Sequence, residues 1–354
     1  MKKIFLILFS LLFFVSTSFA QTLDEKIGQM IILGFEGDNI KAKGFKKVQK
    51  QVQKGEISGV ILFGKNIKSK QDLTLMNETL LKANPNNIPF IAIDNEGGEI
   101  QRHSFENIKS AKTVSYMDFA SARYEYFKMA NLLKDLNINL NFAPCVDLEI
   151  NPNSIIAKKE RSYGVDSYEV AKFASIFIEE HNKKGIITSI KHFPGHGSIE
   201  GDTHLGFVDA SKTFIDDEIE PYYFLSKYQD KNMVMVSHIF NSKFDDKYPA
   251  SLSEKTIKEY LIDKVGFNGV IISDDYDMGA IRKEYQLRDI IVNSINSGVN
   301  ILLFSNNIET NEPHLASKIK KIIKDEVGLG NIKMEDIDNS YRKITALKRT
   351  INQF

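Results

Sequence analysis

The chain has 354 residues, 42% hydrophobic and 26% charged, and its 46 basic residues are matched by 46 acidic ones. That balance gives no excess of positive charge for a nucleic acid to bind, so no nucleic-acid partner is expected. A single cysteine, Cys145, excludes an intramolecular disulfide and reads as a small buried apolar residue.

Residues 1–20 read as a targeting segment outside the fold. Lys2 and Lys3 precede an apolar run, 4–15, that is too short to span a bilayer, and Ser18-Phe19-Ala20 offers small residues for cleavage. The expectation is an exported mature chain, periplasmic or secreted, starting at Gln21; the alternative is an uncleaved membrane anchor. No cysteine follows the cleavage point, so neither a lipid anchor nor another stable membrane anchor is expected. No Gly/Ser/Pro-rich linker divides residues 21–354, which read as one domain and as a monomer.

From Thr22 onward, short apolar runs alternate with segments long enough for helices. The runs are 30–34, 59–63, 89–93, 140–146, 186–190, 233–236, 269–272 and 299–304. Most are apolar on consecutive residues, which suits parallel strands covered on both faces. The run at 186–190 is the weakest, because Thr188 and Ser189 interrupt it. Val170, Phe173, Ala174 and Phe177 have helical spacing behind Asp166 or Ser167 as a cap, and Leu287, Ile290, Ile291 and Ile295 share a face before Gly298. The segment 334–347 reads as an outer helix. Eight strand-helix alternations predict an α/β fold, a single-domain (β/α)8 TIM-type barrel; a doubly wound open sheet is the alternative, because periodicity does not show closure.

Polar residues fall at the ends of these runs: Asp94, Asp147, Lys191 with His192, Ser237 with His238, Asp274 with Asp275, and Ser305 with Asn306. In a barrel such ends share the face on which chemistry is built, which points to an enzyme. The densest stretch is Lys191-His192-Phe193-Pro194-Gly195-His196-Gly197 followed by Asp202-Thr203-His204, with three imidazoles, one ammonium and two carboxylates in fourteen residues. Lys191 and His192 are expected where a strand gives way to a loop.

Asp274 at a buried strand end suits a nucleophile, a metal ligand or a helix cap, and capping suits Asp277 better because 278–280 starts the next helix. In Asp202-Thr203-His204 the carboxylate can orient the imidazole and raise its basicity. A nucleophilic carboxylate with an acid/base histidine describes a two-step retaining displacement at an acetal carbon. The rival is a metallohydrolase, since His192, His196, Asp202 and His204 are all legal zinc ligands, although their spacing matches no helical HExxH pattern. A sugar-binding protein without turnover is a further alternative, and the presence of both Asp274 and His204 argues against it.

At these residues the sequence resembles glycoside hydrolase family 3, in its β-N-acetylglucosaminidase branch. The resemblance runs through Asp94-Asn95-Glu96-Gly97-Gly98 with Arg102, Asn141-Phe142-Ala143-Pro144, Glu160-Arg161-Ser162-Tyr163-Gly164, the Lys191 to Gly197 stretch, Asp202-Thr203-His204 and Ser273-Asp274-Asp275. It implies a (β/α)8 barrel, retention of configuration, Asp274 as nucleophile, and His204 as acid/base with Asp202 as its partner. It further implies that Asp94 holds sugar hydroxyls and that Arg102, Arg161, Lys191 and His192 line the terminal-sugar subsite, with no metal and no cofactor. The implied substrate is an N-acetylglucosamine-containing oligosaccharide or muropeptide, cut from its end. Phosphorolysis is the alternative reaction, because a histidine acid/base leaves no anionic carboxylate to repel an anionic acceptor. The sequence departs from the family pattern at Glu99, Ser198 and Phe207-Val208, which bears on the aglycone rather than on the chemistry.

Overall fold

The computed structural model describes residues 21–203, 205–306, 312 and 314–351; residues 1–20, where a targeting segment is expected, and His204 lie outside the described residues. The eight apolar runs each overlap a strand: β1 (Ile31–Gly34), β2 (Gly59–Leu62), β3 (Phe90–Ile93), β4 (Leu140–Asn141), β5 (Ile187–Phe193), β6 (Asn232–Val236), β7 (Val270–Ser273) and β8 (Leu302–Phe304). They form one parallel sheet in the order β8-β1-β2-β3-β4-β5-β6-β7. The two ends of that order meet: Ile272 and Ile301 form a parallel bridge, and the Ser273 N–H donates to the Ile301 carbonyl at 3.1 Å. The sheet therefore rolls into a barrel and the open-sheet alternative falls. Every strand residue is buried, as strands with side chains inside the barrel and helices outside require.

The helix Ser167–Asn182 starts at Asp166, whose carboxylate accepts from the Glu169 N–H at 2.8 Å, which settles the cap between the two candidates. The helix Leu287–Ser297 ends at Gly298, as its spacing predicts. The last helix, Met334–Ile351, packs across the N-terminal end of the barrel. Its buried Lys348 ammonium donates to Gln29 Oε1, the Ser58 carbonyl and Asn87 Oδ1 at 2.8, 3.0 and 3.2 Å, just ahead of β1, β2 and β3. That end is closed by structure, and the opposite end is left for the site. Among the described residues no helix is long and apolar enough to cross a membrane.

Three local expectations are corrected. The interrupted run at 186–190 becomes the seven-residue β5, because the Thr188 hydroxyl donates to Asn232 Oδ1 on β6 at 2.9 Å and its branched side chain suits a strand. Consequently Lys191 and His192 lie within the strand rather than just past it. The run at 140–146 keeps ladder geometry only at Leu140–Asn141, because Pro144 has no N–H to give; a bridge between Cys145 and Lys191 restores contact beyond it. Asp277 does not cap the helix Gly279–Arg282, whose N-cap is Met278. Its Oδ2 instead accepts from the Asn306 N–H at 2.7 Å, tying the end of β7 to the end of β8.

Candidate active site

At the C-terminal ends of the strands lies a pocket of about 310 Å³ lined by Asp94, Arg102, Arg161, Lys191, His192, Asp202 and Asp274. These are all the expected site residues except His204, which is outside the described residues. Apolar atoms of Ile61, Phe63, Phe142, Met235 and Leu303 complete the wall. A larger concavity of about 640 Å³ lies at the other end of the barrel around Lys348. It lacks paired acid and base groups, since its one carboxylate, Glu25, is engaged in capping at Thr22.

Alternating charges wrap one side of the pocket. Arg102 donates to Asp94 Oδ2 at 3.1 Å, and Lys191 donates to Asp94 Oδ1 at 2.9 Å. The same Lys191 ammonium pairs with Glu96 Oε1 at 2.8 Å. Arg161 then grips Glu96 with two donors, Nε to Oε2 at 2.8 Å and Nη2 to Oε1 at 2.7 Å. The Lys191 and Glu96 side chains are each 3% exposed against 33% for Arg102 and 15% for Asp94, so the inner pair anchors and the outer pair faces the open pocket.

Burial alone would raise the carboxyls of this row. The Lys191 and Arg102 cations outweigh it at Asp94, holding that carboxyl well below the usual range, and Arg161 with Lys191 bring Glu96 down to about 2. Both stay ionised at any working pH. Asp94 is thus a fixed acceptor for hydroxyl groups, and Arg102 beside it a fixed donor.

The row continues into a buried histidine. Arg161 Nη2 lies 3.2 Å from His192 Nε2, and His192 Nδ1 lies 2.6 Å from Asp147 Oδ2. A guanidinium can only donate, so Nε2 is the acceptor and the proton sits on Nδ1, pointed at Asp147. Asp147 Oδ1 also accepts from the His192 and His196 N–H groups at 3.1 and 3.0 Å. With both ring nitrogens engaged, His192 is held as an oriented wall of the pocket.

Asp274 follows β7 directly and is partly exposed, with its N–H donating to the Val236 carbonyl at 2.9 Å and its Oδ1 accepting from the Asp275 N–H at 2.8 Å. Asp275 also lines the pocket but is committed inward: its Oδ1 accepts from the N–H groups of Asp277 and Ser305 at 3.0 and 2.8 Å. Burial, then the nearby Asp277 charge, pushes its carboxyl from an ordinary 3.8 up to about 7. The folded state therefore keeps a proton that the unfolded chain releases, so the fold loses stability as pH rises from about 4 to about 7. Asp275→Asn keeps the acceptor oxygen and cannot ionise. Its Tm relative to the parent protein is expected to be higher at pH 8 than at pH 5, and a difference independent of pH would show that Asp275 does not titrate in this window.

The remaining strand-end polar residues support rather than line the pocket. His238 Nε2 faces the Asp275 carbonyl at 3.0 Å, so it donates there, while Nδ1 accepts from Ser251 at 2.7 Å. Ser237 Oγ donates to the Phe193 carbonyl at 3.0 Å, and the Ser305 and Asn306 N–H groups bind Asp275 and Asp277. Sequence reasoning left Glu96 and Asp147 out of the site. Glu96 was legible, because it lies two residues beyond Asp94 and so returns to the same side of an extended chain; Asp147 was marked by its strand-end place, but nothing in the sequence announces its bond to His192.

Of the four proposed zinc ligands, the three that are described do not gather. Among the described residues His192, His196 and Asp202 form no ligand cluster; the one close triplet is Cys145, Asp147 and His192, all buried. Hydrogen bonds already account for that triplet, since the Cys145 thiol donates to Asp147 Oδ2 at 3.2 Å and His192 donates to the same oxygen.

Residues 22–347 match the sequence profile described as the glycosyl hydrolase family 3 N-terminal domain. A β-hexosaminidase of Tolumonas auensis is 33% identical over 71% of this chain and 76% of its own length. A secreted but uncharacterised glycosyl hydrolase of Arthroderma benhamiae is 27% identical over 87% of this chain and 89% of its own. Among solved structures, a family 3 β-N-acetylglucosaminidase from Paenibacillus sp. superposes with a TM-score of 0.83 at 26% identity, over 94% of this chain. The chain spans 63% of that protein's length. A β-N-acetylhexosaminidase from Beutenbergia cavernae gives a TM-score of 0.84 over 93% of this chain and 99% of its own, at 23% identity, a likeness of fold.

Proposed function

Because the chain belongs to glycoside hydrolase family 3, in its β-N-acetylhexosaminidase branch, we propose that it removes terminal N-acetylhexosamine residues with retention of configuration, through a covalent glycosyl-enzyme. The observation that carries this reading is that Asp274 and Asp202 line one pocket together with the Asp94–Arg102–Lys191 array.

In this mechanism the sugar is held by atoms that already carry fixed roles. Asp94 accepts from its hydroxyls and Arg102 donates to its oxygens, while Arg161, Lys191 and His192 set the shape of that wall. Binding at several points orients the anomeric carbon, so attack by Asp274 becomes effectively unimolecular. His204, oriented by Asp202, protonates the departing oxygen and then takes a proton from water as the ester to Asp274 is hydrolysed. The substrate is an exported one, a cell-wall fragment or a chitooligosaccharide. Residues 1–20 support export, and so does the description of the Arthroderma relative as secreted.

The test is a panel of aryl β-glycosides, with and without inorganic phosphate, on protein beginning at Gln21. Release from the N-acetylglucosaminide at about a hundredfold or more the rate seen with the glucoside is expected, with the free sugar as product. Equal rates on the glucoside would overturn the substrate class, and a sugar 1-phosphate would make the enzyme a phosphorylase.

A further inference from the structure

The chain between β5 and β6 carries Asp202 to the pocket wall. It leaves β5 through a slot too narrow for side chains. A Cβ on Gly197 would lie 1.6 Å from the Leu148 carbonyl oxygen, and one on Gly195, whose φ is +148°, would lie 2.6 Å from Glu218 Cβ. Carboxylates close the slot from both sides. Asp147 Oδ1 receives the His192 and His196 N–H groups, and Glu218 Oε2 receives those of Gly197 and Ser198 at 2.8 and 3.3 Å.

Past the slot the segment rests on a small apolar cluster and on a few hydrogen bonds, among them the one from the Ala280 N–H to the Thr203 carbonyl at 3.1 Å. Ile199, Val208, Ala210 and Ile239 form a small apolar cluster separate from the barrel core, with Phe214 packed against it. At its far end the segment is tied to the chain beyond β6, where the Ala210 N–H donates to the Phe240 carbonyl at 2.8 Å and the Phe240 N–H donates to the Val208 carbonyl at 3.0 Å. A cluster of this size orders a loop weakly, so the bonds at the slot, which fix where the segment sets out, contribute to where Asp202 stands.

Glu218 is fully buried and does not line the pocket. Its Oε1 has no hydrogen-bond partner among the described residues, and burial pushes the carboxyl up to about 7. A buried carboxyl with one oxygen unsatisfied is unfavourable for the fold, and the bonds it does make all go to the loop.

We infer that Glu218 is a positioning residue for the reaction: it fixes the segment that bears Asp202 and His204 against the pocket without touching substrate. The inference rests on the reading of Asp202 and His204 as the acid/base pair. Its consequence is selective. A displaced acid/base segment slows departure of a poor leaving group far more than departure of an activated one, and it leaves the sugar contacts at Asp94, Arg102 and Lys191, which come from other elements, intact.

Glu218→Ala, Glu218→Gln and His204→Ala are compared on a slow alkyl and a fast aryl β-N-acetylglucosaminide. In Glu218→Ala, kcat on the alkyl substrate is expected to fall about tenfold or more beyond its fall on the aryl one, with KM changing by about twofold at most. Glu218→Gln, whose carbonyl oxygen still accepts both N–H groups, is expected to recover most of that loss. Should Glu218→Ala not fold, Glu218→Asp, which withdraws the acceptor by one methylene, carries the same expectation. Equal losses on both substrates in the Glu218 variants, with His204→Ala still selective, overturn the positioning role alone. Equal losses in His204→Ala as well overturn both this inference and the reading it rests on.

Discussion

Asp274→Ala is expected to lower kcat/KM by about 10⁴-fold or more, roughly 5 kcal/mol of transition-state stabilisation, because it removes the covalent route rather than a contact. Three acids stand close together in Asp274-Asp275-Tyr276-Asp277, and the structure distinguishes them. Asp275 Oδ1 is bound by two backbone N–H groups, and Asp277 Oδ2 is bound by the Asn306 N–H. Asp274 and Asp277 are both partly exposed, and of these two Asp274 is the one that follows the strand directly and lines the pocket. A 2-deoxy-2-fluoro or 5-fluoro glycoside, which slows hydrolysis of the ester, is therefore expected to label Asp274, with the adduct mapped by peptide mass spectrometry. A label on Asp275 or Asp277 would transfer the role. An unlabelled protein whose Asp274→Ala variant keeps full activity would end the covalent reading.

The barrel was legible because parallel strands buried on both faces must be apolar at consecutive positions, and runs such as 59–63 and 89–93 are. β5 was the hard case. Its Thr188 and Ser189 read as an interruption until Asn232 on β6 is seen to accept from the Thr188 hydroxyl, a partner forty-four residues away that no local pattern announces. The site divides along the same line. Asp94, Lys191, His192 and Asp274 were legible from their places at strand ends, whereas His238 and Asn306 occupy equivalent places and serve as struts. Position along a strand says that a side chain reaches the mouth of the barrel; which way it then turns depends on neighbours brought in by other strands. Asp147 and Glu218 act through backbone N–H groups of a distant loop, and such bonds leave no mark on the residue types of either partner.

His204→Ala is expected to slow glycosylation by about 10²- to 10⁴-fold on alkyl N-acetylglucosaminides and far less on activated aryl ones, whose leaving groups depart without a proton. The residues on either side of His204 are tied to the segment that follows β7. The Ala280 N–H donates to the Thr203 carbonyl at 3.1 Å, and Lys283 Nζ donates to the Leu205 carbonyl at 3.2 Å. The segment bearing Asp274 and the neighbours of His204 thus share one support, which in the proposed mechanism favours a fixed separation between nucleophile and acid/base. Asp202 is expected to act through His204. In Asp202→Asn the imidazole loses an ionic partner, so its pKa falls and the protonated form that donates to the leaving oxygen becomes scarcer at neutral pH. The acidic optimum for alkyl substrates is therefore expected to move to lower pH in Asp202→Asn. Because the two residues work as one unit, Asp202→Asn in the His204→Ala background is expected to add little further loss. Measuring kcat/KM for both single variants and the double variant on both substrate types decides it. Losses that multiply across the pair, or that are equal on alkyl and aryl substrates, would leave His204 as a binding residue and assign the proton to another group.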